Sequence, residues 1–217
     1  MIVKPSLTGL LGGSFNPAHG AHRAISLFAL TALGLDEVWW LVSPGNVLKS
    51  ADTMAPLAAR VASARAMARR LPIRVTAIEE QIGTRFTADT LRKLKNRYPK
   101  RRFVWLMGAD NLAQFHLWRG WRTIACEMPI AVIARPGYNQ KAMSSPAMAW
   151  LRRWRQWHTP KRNGAKRSAP ALTILRCDPD PRSASAIRAA NPFWHRRFAG
   201  TNQRDMLTGR AIYSKAL

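Results

Sequence analysis

Two histidines, His19 and His22, follow a pair of glycines near the start of the chain, and residues of these types suit phosphate chemistry. Gly12 and Gly13 end an apolar run, and without a Cβ they let the backbone approach a ligand closely. If a helix begins near His19, the two imidazoles lie on one face of its first turn, beside unsatisfied backbone N–H groups. Those groups and the positive end of the helix dipole form an anion site. We predict phosphate binding here; an ordinary glycine turn with structural histidines is the alternative.

The stretch from Gly12 to His22 resembles the signature of the nucleotidyltransferase superfamily of adenylyl and cytidylyl transferases, Gly-Gly-(Ser/Thr)-Phe-(Asp/Asn)-Pro-x-His-x-Gly-His. In one departure, the signature glycine before the second histidine is Ala21 here, while a glycine stands at position 20. If adenine or ribose packs against this helix start, the extra methyl group would cost ~1–3 kcal/mol by overpacking. We predict that the site has adjusted to Ala21 and is active.

The resemblance implies an ATP site on this stretch, in which both histidines hydrogen-bond the phosphates as charge develops. The residues expected to bind ATP here are Gly12, Gly13, Ser14 and Phe15. Near the other end of the chain, Arg182–Arg188 is similar to the family segment Ser-(Ser/Ala)-(Thr/Ser)-x-(Ile/Leu)-Arg, which caps a helix over the ATP phosphates. Ser183 or Ser185 is therefore expected to cap that helix and Arg188 to pair with a phosphate.

Two segments extend the resemblance to the nicotinate mononucleotide adenylyltransferases. Residues 43–49 are similar to a family segment with a proline, a polar residue and a lysine, so Asn46 is expected at the mononucleotide and Lys49 on a phosphate oxygen. Alone, Lys49 would be interpreted as a surface lysine. Arg85–Leu91 is similar to (Tyr/Phe)-Thr-x-Asp-Thr-Leu, a helix start that binds the nicotinate carboxylate through backbone N–H groups. Thr87 would be the N-cap, with Asp89 favourable in the first turn, and helix capping alone would explain both.

The most discriminating match is Gly108-Ala109-Asp110-Asn111 followed by Trp118-Arg119-Gly120-Trp121. Gly108 permits a close approach, and Asp110 offers hydrogen-bond acceptors to a ribose. Trp118 has a flat face for a pyridine ring, with Arg119 beside it. The run resembles the family segment Gly-Ala-Asp-Asn…Trp-x-x-Trp, in which the first tryptophan stacks on nicotinate. In a chain with nine tryptophans, any one of them is more often a core residue.

The elements that must position these residues alternate between short apolar runs and helical patterns. The predicted strands are Leu7–Leu11, Val38–Val42, Ile73–Ile78, Phe103–Met107, Ile130–Ala134 and Leu172–Leu175. Helices are predicted over Ile25–Leu33 with an end at Gly34, over Leu57–Leu71, and over Thr87–Tyr98. Strand–helix alternation predicts the α/β class, with a doubly wound parallel sheet. The resemblance implies a Rossmann-like nucleotidyltransferase fold whose ligands bind at the carboxyl edge of the sheet.

Residues 138–171 interrupt this alternation before the last strand and form a basic insertion. Within it, Ala147–Trp157 is predicted to be a helix, and Pro160–Pro170 a loop rich in Pro, Gly and Ser. Residues 191–217 are predicted to be a helical C-terminal tail. The whole chain, residues 1–217, is expected to be one nucleotidyltransferase domain, because 217 residues suit one domain with an appendage.

Composition limits the class of protein further. A hydrophobic content of 47% supports a globular chain, and no apolar run approaches the ~20 residues of a membrane helix. The N-terminus does not have the pattern of a signal peptide. Cys126 and Cys177 lack CxxC spacing, which favours reduced thiols in a cytoplasmic protein and no zinc site.

The net charge of +24 predicts attraction to polyanions. Much of it lies in two runs, 92–102 and 152–167, which are typical of solvated faces. Nucleic-acid binding is therefore not expected to be the function, although a degenerate family member that binds nucleic acid through these runs is one alternative.

The resemblance implies nicotinate-nucleotide adenylyltransferase activity, in which ATP and nicotinate mononucleotide give deamido-NAD and pyrophosphate in NAD biosynthesis. The mononucleotide phosphate would attack the α-phosphorus in line, with Lys49 and Arg188 neutralising phosphate oxygens. Mg²⁺ is expected to bridge the ATP phosphates, held mainly by substrate and water, because the sequence has no carboxylate cluster. A nucleotidyltransferase that acts on nicotinamide mononucleotide or another phosphorylated acceptor is the nearer alternative.

Overall fold

The computed structural model describes residues 5–45, 54–134, 139–156, 168–178, 180, 182–200 and 203–212. The strands are β1 (Ser6–Gly13), β2 (Glu37–Val42), β3 (Ile73–Thr76), β4 (Arg101–Gly108), β5 (Ile130–Ala134), β6 (Arg155–Gln156), β7 (Leu172–Arg176), β8 (Gln203–Arg204) and β9 (Ala211–Ile212). The α-helices are α1 (Gly20–Leu33), α2 (Leu57–Ala68), α3 (Ile78–Gln81), α4 (Thr87–Arg97), α5 (Ala109–Gln114), α6 (Trp121–Glu127), α7 (Asn139–Met143), α8 (Pro146–Leu151) and α9 (Ala184–Ala190). Short 3₁₀ turns cover Phe115–Leu117, Arg152–Trp154 and Trp194–Phe198.

Strands β1 to β7 form one sheet in the order β3-β2-β1-β4-β5-β7-β6, and each neighbouring pair is parallel. Parallel neighbours need crossover connections, and helices lie in the connections that run from β1 to β2, β2 to β3, β3 to β4 and β4 to β5. The predicted α/β class and doubly wound parallel sheet are confirmed.

Hydrophobic cores cover both faces of this sheet, which explains why the strand sequences alternate so little. Successive side chains of a strand point to opposite faces. Accordingly, Trp39 packs with Leu10 and Trp105 in one core cluster, whereas its neighbour Trp40 packs with Leu11 in the other. Both tryptophans of β2 are almost fully buried.

Helix α1 connects β1 to β2 and carries the histidine pair at its beginning. Ile25, Ala29 and Leu33 are its buried stripe, at the spacing that the sequence predicted. Gly34 ends the helix with a φ of 62°, and its N–H donates to the carbonyl of Leu30. A left-handed residue at this position favours glycine, so the predicted helix end is confirmed.

Two element boundaries differ from the prediction. Helix α2 ends at Ala68 rather than Leu71, because Arg69 leaves the helical conformation with a ψ of 135°, and Arg70 then adopts a left-handed φ of 61°. Strand β3 ends at Thr76, and Ile78 begins α3 instead of ending the strand. The Asp205 carboxylate accepts hydrogen bonds from the Thr76 hydroxyl and the Ala77 N–H, both at 2.7 Å, so this N–H is not used in the sheet.

The basic insertion adds an edge strand, which the sequence analysis did not predict. The helix expected over Ala147–Trp157 ends at Leu151, with Ser145 as the N-cap that accepts from the Met148 N–H. A 3₁₀ turn follows, and then β6 pairs with β7 through Arg155 and Gln156. Trp157 and residues 160–167 of the predicted loop lie outside the described residues.

The prediction of a helical C-terminal tail is wrong for residues 203–212. After the 3₁₀ turn Trp194–Phe198, β8 and β9 form an antiparallel pair. The Asp205 carboxylate accepts from the N–H groups of Leu207 and Thr208 and so fixes the turn between the two strands.

Candidate active site

The strand order reverses between β1 and β4, because β2 and β3 lie on one side of β1 while β4, β5 and β7 lie on the other. In open α/β sheets, ligands bind in the crevice at the carboxyl ends of the strands at such a point. Strand β1 ends at Gly13 and β4 ends at Gly108, so both predicted glycine segments lie at this edge.

The histidine pair lies at the start of α1, as predicted. His19 is the buried N-cap, and its backbone N–H donates to Nδ1 of His22 at 3.3 Å. The ring centroids are 4.0 Å apart. Since Nδ1 of His22 accepts a hydrogen bond, a neutral His22 ring has its proton on Nε2.

The loop before α1 is held by aromatic packing. Phe15 has a φ of 46°, and its ring stacks on Trp40 with centroids 5.1 Å apart and lies 4.7 Å from His22. A Cβ on Gly12 would lie 2.6 Å from the Trp105 ring. The glycine at position 12 is thus required by packing, whether or not a ligand approaches it. Ser14 follows on the same loop.

Arg60 on α2 is a buried residue at this edge to which the sequence analysis gave no role. Its guanidinium donates to the carbonyls of Ala55 (2.8 Å), Ser14 (2.8 Å), Ser43 (2.6 Å) and Pro44 (3.1 Å). Burial lowers its pKa to about 10, so it is a cation at neutral pH. Arg60 therefore joins the loop after β1 to the loop after β2. In the sequence, Arg60 is one of several arginines on the same predicted helix, and nothing distinguishes it from the others.

Helix α9 brings its predicted phosphate-binding residues to the same loop. Ser183 is its N-cap and accepts from the Ala186 N–H at 3.2 Å, while the hydroxyl of Ser185 lies 3.3 Å from that of Ser183. The Arg188 guanidinium donates to the carbonyl of Asn16 at 2.6 Å, across 172 residues of sequence. The structure therefore places Arg188 against the loop between Phe15 and the histidines.

At the end of β4, Gly108 precedes α5 as its N-cap residue, and Asp110 is exposed in the first turn. Trp118 is partly buried and packs edge-on against Phe115 and Trp105, with centroids 5.4 and 6.3 Å apart. Edge-on contacts with the core fix the plane of this indole ring.

A pocket of about 370 Å³ lies at the start of α4. Its lining comprises Gly83, Thr84, Arg85, Phe86, Asp89, Arg92, Lys93 and Arg119. The Arg119 guanidinium lies 4.5 Å from the centre of the Phe86 ring, a cation–π contact that holds it beside this pocket. Four of the lining side chains are cationic and one is anionic, so the pocket favours an anion.

Thr87 is the first residue of α4 rather than its N-cap, which corrects the prediction. Phe86 is the N-cap, and its carbonyl accepts from the N–H groups of Asp89 and Thr90 at 3.1 Å. Asp89 lies in the first turn, as predicted, and forms an exposed ion pair with Arg92 at 3.5 Å.

Glu79 is a second residue that the sequence analysis missed. Burial raises its pKa to about 7, while a hydrogen bond from the Thr90 hydroxyl at 3.2 Å acts in the opposite direction. The Thr90 hydroxyl also lies 2.8 Å from that of Thr84, and the Thr84 N–H donates to the Glu79 carbonyl. Glu79 thus stabilises the first turn of α4 through its contacts with Thr84 and Thr90. Since the contacts join α3 to α4, local sequence patterns gave no signal for them.

Two predicted site residues, Asn46 and Lys49, lie outside the described residues. Across the described ranges, no three His, Cys, Asp or Glu side chains are grouped so that they could hold a metal ion. In the same ranges, every helix is too short or too polar to cross a lipid bilayer.

Comparison with known proteins places this geometry in a family. Residues 10–190 match the family model described as cytidylyltransferase-like. A protein of Erythrobacter litoralis named probable nicotinate-nucleotide adenylyltransferase is 64% identical over 208 residues, which cover 96% of this chain and 95% of the relative. A Bradyrhizobium protein of the same name is 49% identical over 186 residues, with 86% and 97% covered.

Solved structures agree on the fold. The nicotinic acid mononucleotide adenylyltransferase of Plasmodium falciparum, complexed with NaAD, matches with a TM-score of 0.61 over 85% of this chain and 83% of that one, at 16% identity. The same enzyme complexed with APC matches with a TM-score of 0.57 at 15% identity. Given the matched family model and these relatives, the chain belongs to the cytidylyltransferase-like nucleotidyltransferases, as a member of the nicotinate-nucleotide adenylyltransferase family.

Proposed function

We propose that this chain transfers AMP from ATP to nicotinate mononucleotide, giving deamido-NAD and pyrophosphate, as a step of NAD biosynthesis. The observation that carries the proposal is the histidine pair at the start of α1, at the switch point of the sheet, with Arg188 reaching the same loop. The names of the relatives support the same reaction.

In this reaction an oxygen of the mononucleotide phosphate attacks the α-phosphorus of ATP in line. A new P–O bond forms, and the bond from the α-phosphorus to the bridging oxygen breaks, so that pyrophosphate leaves with the electron pair. Because the attacking group is an anionic phosphate, the protein need not supply a nucleophile. Catalysis then rests on positioning and on stabilisation of the charge that develops on phosphate oxygens.

On the ATP side, we assign His19 and His22 to hydrogen bonds with the phosphates, and Lys49 and Arg188 to neutralisation of phosphate oxygens. The residues assigned to ATP binding are Gly12, Gly13, Ser14, Phe15, Gly108, Asp110, Ser183 and Ser185. The hydrogen bond from the His19 N–H to Nδ1 of His22, the Ser183 cap of α9 and the hydrogen bond from Arg188 to the Asn16 carbonyl support these roles.

On the acceptor side, we assign the nicotinate carboxylate to the first turn of α4, with Asn46, Thr87, Asp89, Trp118 and Arg119 at the mononucleotide. The cationic pocket at this helix start supports the assignment, because the acid carries a charge there that the amide lacks. Correcting Thr87 from cap to first helical residue leaves the assignment unchanged, since the proposed donors are backbone N–H groups.

We propose that Mg²⁺ enters as the ATP complex. Magnesium dehydrates reluctantly and is commonly held by phosphates and water with few protein ligands, which suits a substrate-borne ion. The chain is proposed to act as one domain, and a cytoplasmic location stays a prediction.

Pyrophosphate release from MgATP and nicotinate mononucleotide tests the histidine pair. We expect kcat to fall by about 100-fold or more in His19→Asn and in His22→Asn, because each removes a donor to the developing charge. His195→Asn is the control, since His195 lies in the 3₁₀ turn Trp194–Phe198 outside the proposed site. Unchanged kcat in both site variants would refute the assigned role.

A further inference from the structure

The guanidinium of Arg182 lies directly on the first residue of α1. A Cβ on Gly20 would overlap three atoms of this side chain, Cζ, Nη1 and Nη2. Gly20 is buried, and its φ is not positive, so its backbone does not require glycine. We infer that position 20 is a glycine because the guanidinium occupies the space where a side chain would begin.

Asp180 holds this guanidinium in place. Nε of Arg182 donates to Oδ1 at 2.8 Å, Nη2 donates to Oδ2 at 2.5 Å, and the Arg182 backbone N–H donates to Oδ1 at 3.0 Å. The carboxylate is largely covered, whereas the Arg182 side chain is 61% exposed. A planar guanidinium fixed on one edge still presents N–H donors on another, which suits phosphate recognition.

Asp180 is the anion that offsets the repulsion between the Arg182 guanidinium and the start of α1. The N-terminus of α1 is the positive end of its dipole, and its first turn has no acidic residue. Hydrogen bonds from Arg182 lower the pKa of Asp180 to about 2, and His19 acts in the same direction through its charge. His19 immediately precedes Gly20, so a phosphate at the helix start would lie near both His19 and Arg182.

We propose that Arg182 is a phosphate-binding residue of the ATP site. Asp180 holds its guanidinium over the start of α1, in space that is open because Gly20 has no side chain. The inference rests on the proposed function, since it takes the anion at this helix start to be the triphosphate of ATP. It also explains the position of the glycine in the signature. Ala21 is 1% exposed and packs inside the protein, whereas it is position 20 that lies beneath Arg182 and has no room for a Cβ.

A double-mutant cycle tests the proposal, with the dissociation constant of α,β-methylene-ATP in the presence of Mg²⁺ as the readout. This analogue cannot release pyrophosphate at the α-phosphorus, so binding is measured whether or not the enzyme turns over. We expect Arg182→Met to weaken binding about tenfold, in the range of one charge-assisted hydrogen bond. Gly20→Ala should weaken it similarly, because the methyl group displaces the guanidinium, but should add nothing in the Arg182→Met background.

Arg74→Met is the matched control. Arg74 is also an exposed arginine paired with a carboxylate, Glu37, but it lies on β3, and its removal lowers the net charge equally. We expect its dissociation constant to stay within twofold of the wild type. Both site variants should keep the melting temperature, since the affected side chain is exposed.

Unchanged or tighter binding in Arg182→Met would overturn the proposal, and tighter binding would indicate that Arg182 obstructs the site. A Gly20→Ala effect that persists in the Arg182→Met background would overturn the role of Gly20. Failure of the proposed function gives a different result: the wild type would bind the analogue but release no pyrophosphate from ATP with nicotinate mononucleotide.

Discussion

At the scale of single residues, the buried guanidinium of Arg60 determines how the loops at the carboxyl edge sit. It donates to four backbone carbonyls from three loop segments, and the described part of the chain gives it no carboxylate hydrogen-bond partner. A buried carbonyl that loses its donor costs about 1–3 kcal/mol. Arg60 thus acts on the site through the backbone and is a positioning residue.

We predict that Arg60→Met lowers the free energy of unfolding by about 2–4 kcal/mol, because the buried carbonyls lose their donors while the volume is largely kept. Urea unfolding measures this. Arg65→Met is the control on the same helix, since the hydrogen bonds of Arg65 to residues 203 and 204 are exposed, and we expect less than about 1 kcal/mol there. Equal losses in the two variants would contradict the positioning role.

Glu79 carries a prediction about pH. Its pKa rises from 4.5 to about 7 on folding, so between these values the folded protein binds more protons than the unfolded chain. Its contribution to stability is therefore present below about pH 4.5, declines as the pH rises, and is lost above about pH 7.

Glu79→Gln should remove this contribution to the pH dependence. Relative to the wild type, we expect the variant to gain about 1–3 kcal/mol of unfolding free energy between pH 5 and pH 8, measured by urea unfolding at both. Glu80→Gln, on the same helix but exposed, is the matched control. A wild-type and Glu79→Gln difference that is the same at both pH values would show that Glu79 does not titrate in this range.

At the scale of elements, the first turn of α1 combines a buried methyl group with a binding surface. Ala21 is in the helix and 1% exposed, so its methyl group packs within the protein. We predict that Ala21→Gly lowers the melting temperature by about 2–6 °C, since glycine in a helix and a lost methyl together cost about 1–1.5 kcal/mol. Affinity for the ATP analogue should be unchanged or modestly improved. Loss of ATP affinity would show that Ala21 contributes to the site.

Elements with strong local signals could be predicted from the sequence. Strand β5 was predicted with its observed bounds, and α1 ends at the predicted Gly34, because apolar runs and a left-handed glycine are local features. Helix α2 ends at a non-helical Arg69 that is followed by a left-handed Arg70. An arginine within a helical pattern predicts neither conformation. Strand β6 is two exposed residues that pair with β7, and no local pattern in the sequence predicts this pairing.

The residues of the site also fall into two groups, those that local sequence patterns predict and those that they do not. The histidine pair at a helix start and a serine cap at Ser183 or Ser185 follow from residue types at fixed spacing, and the structure selects Ser183 as the cap. Arg60, Glu79 and Arg182 act through contacts with other segments, and in the sequence they are charges among many. Their roles depend on which backbone groups the folded chain brings to them.

At the scale of the whole molecule, a protein with a net charge of +24 has a site for anionic substrates. Part of the basic surface is engaged with the protein itself: Arg122 lies 4.4 Å from the Trp121 ring centre, and Arg153 lies 5.0 Å from that of Trp154. On α4, Arg92 and Lys93 line the cationic pocket, whereas Lys95 forms an ion pair with Glu127. The charge therefore favours capture of nucleotides by long-range attraction, and specificity must come from the site.

The most direct test of the account is pyrophosphate release from MgATP with nicotinate mononucleotide compared with nicotinamide mononucleotide. We predict turnover with the acid and at least about tenfold lower kcat/KM with the amide, equivalent to about 1.4 kcal/mol in the barrier, because the cationic pocket at α4 favours the carboxylate. Equal rates would keep the adenylyl transfer but contradict the acid-specific site, and absence of pyrophosphate release with either acceptor would contradict the proposed reaction itself.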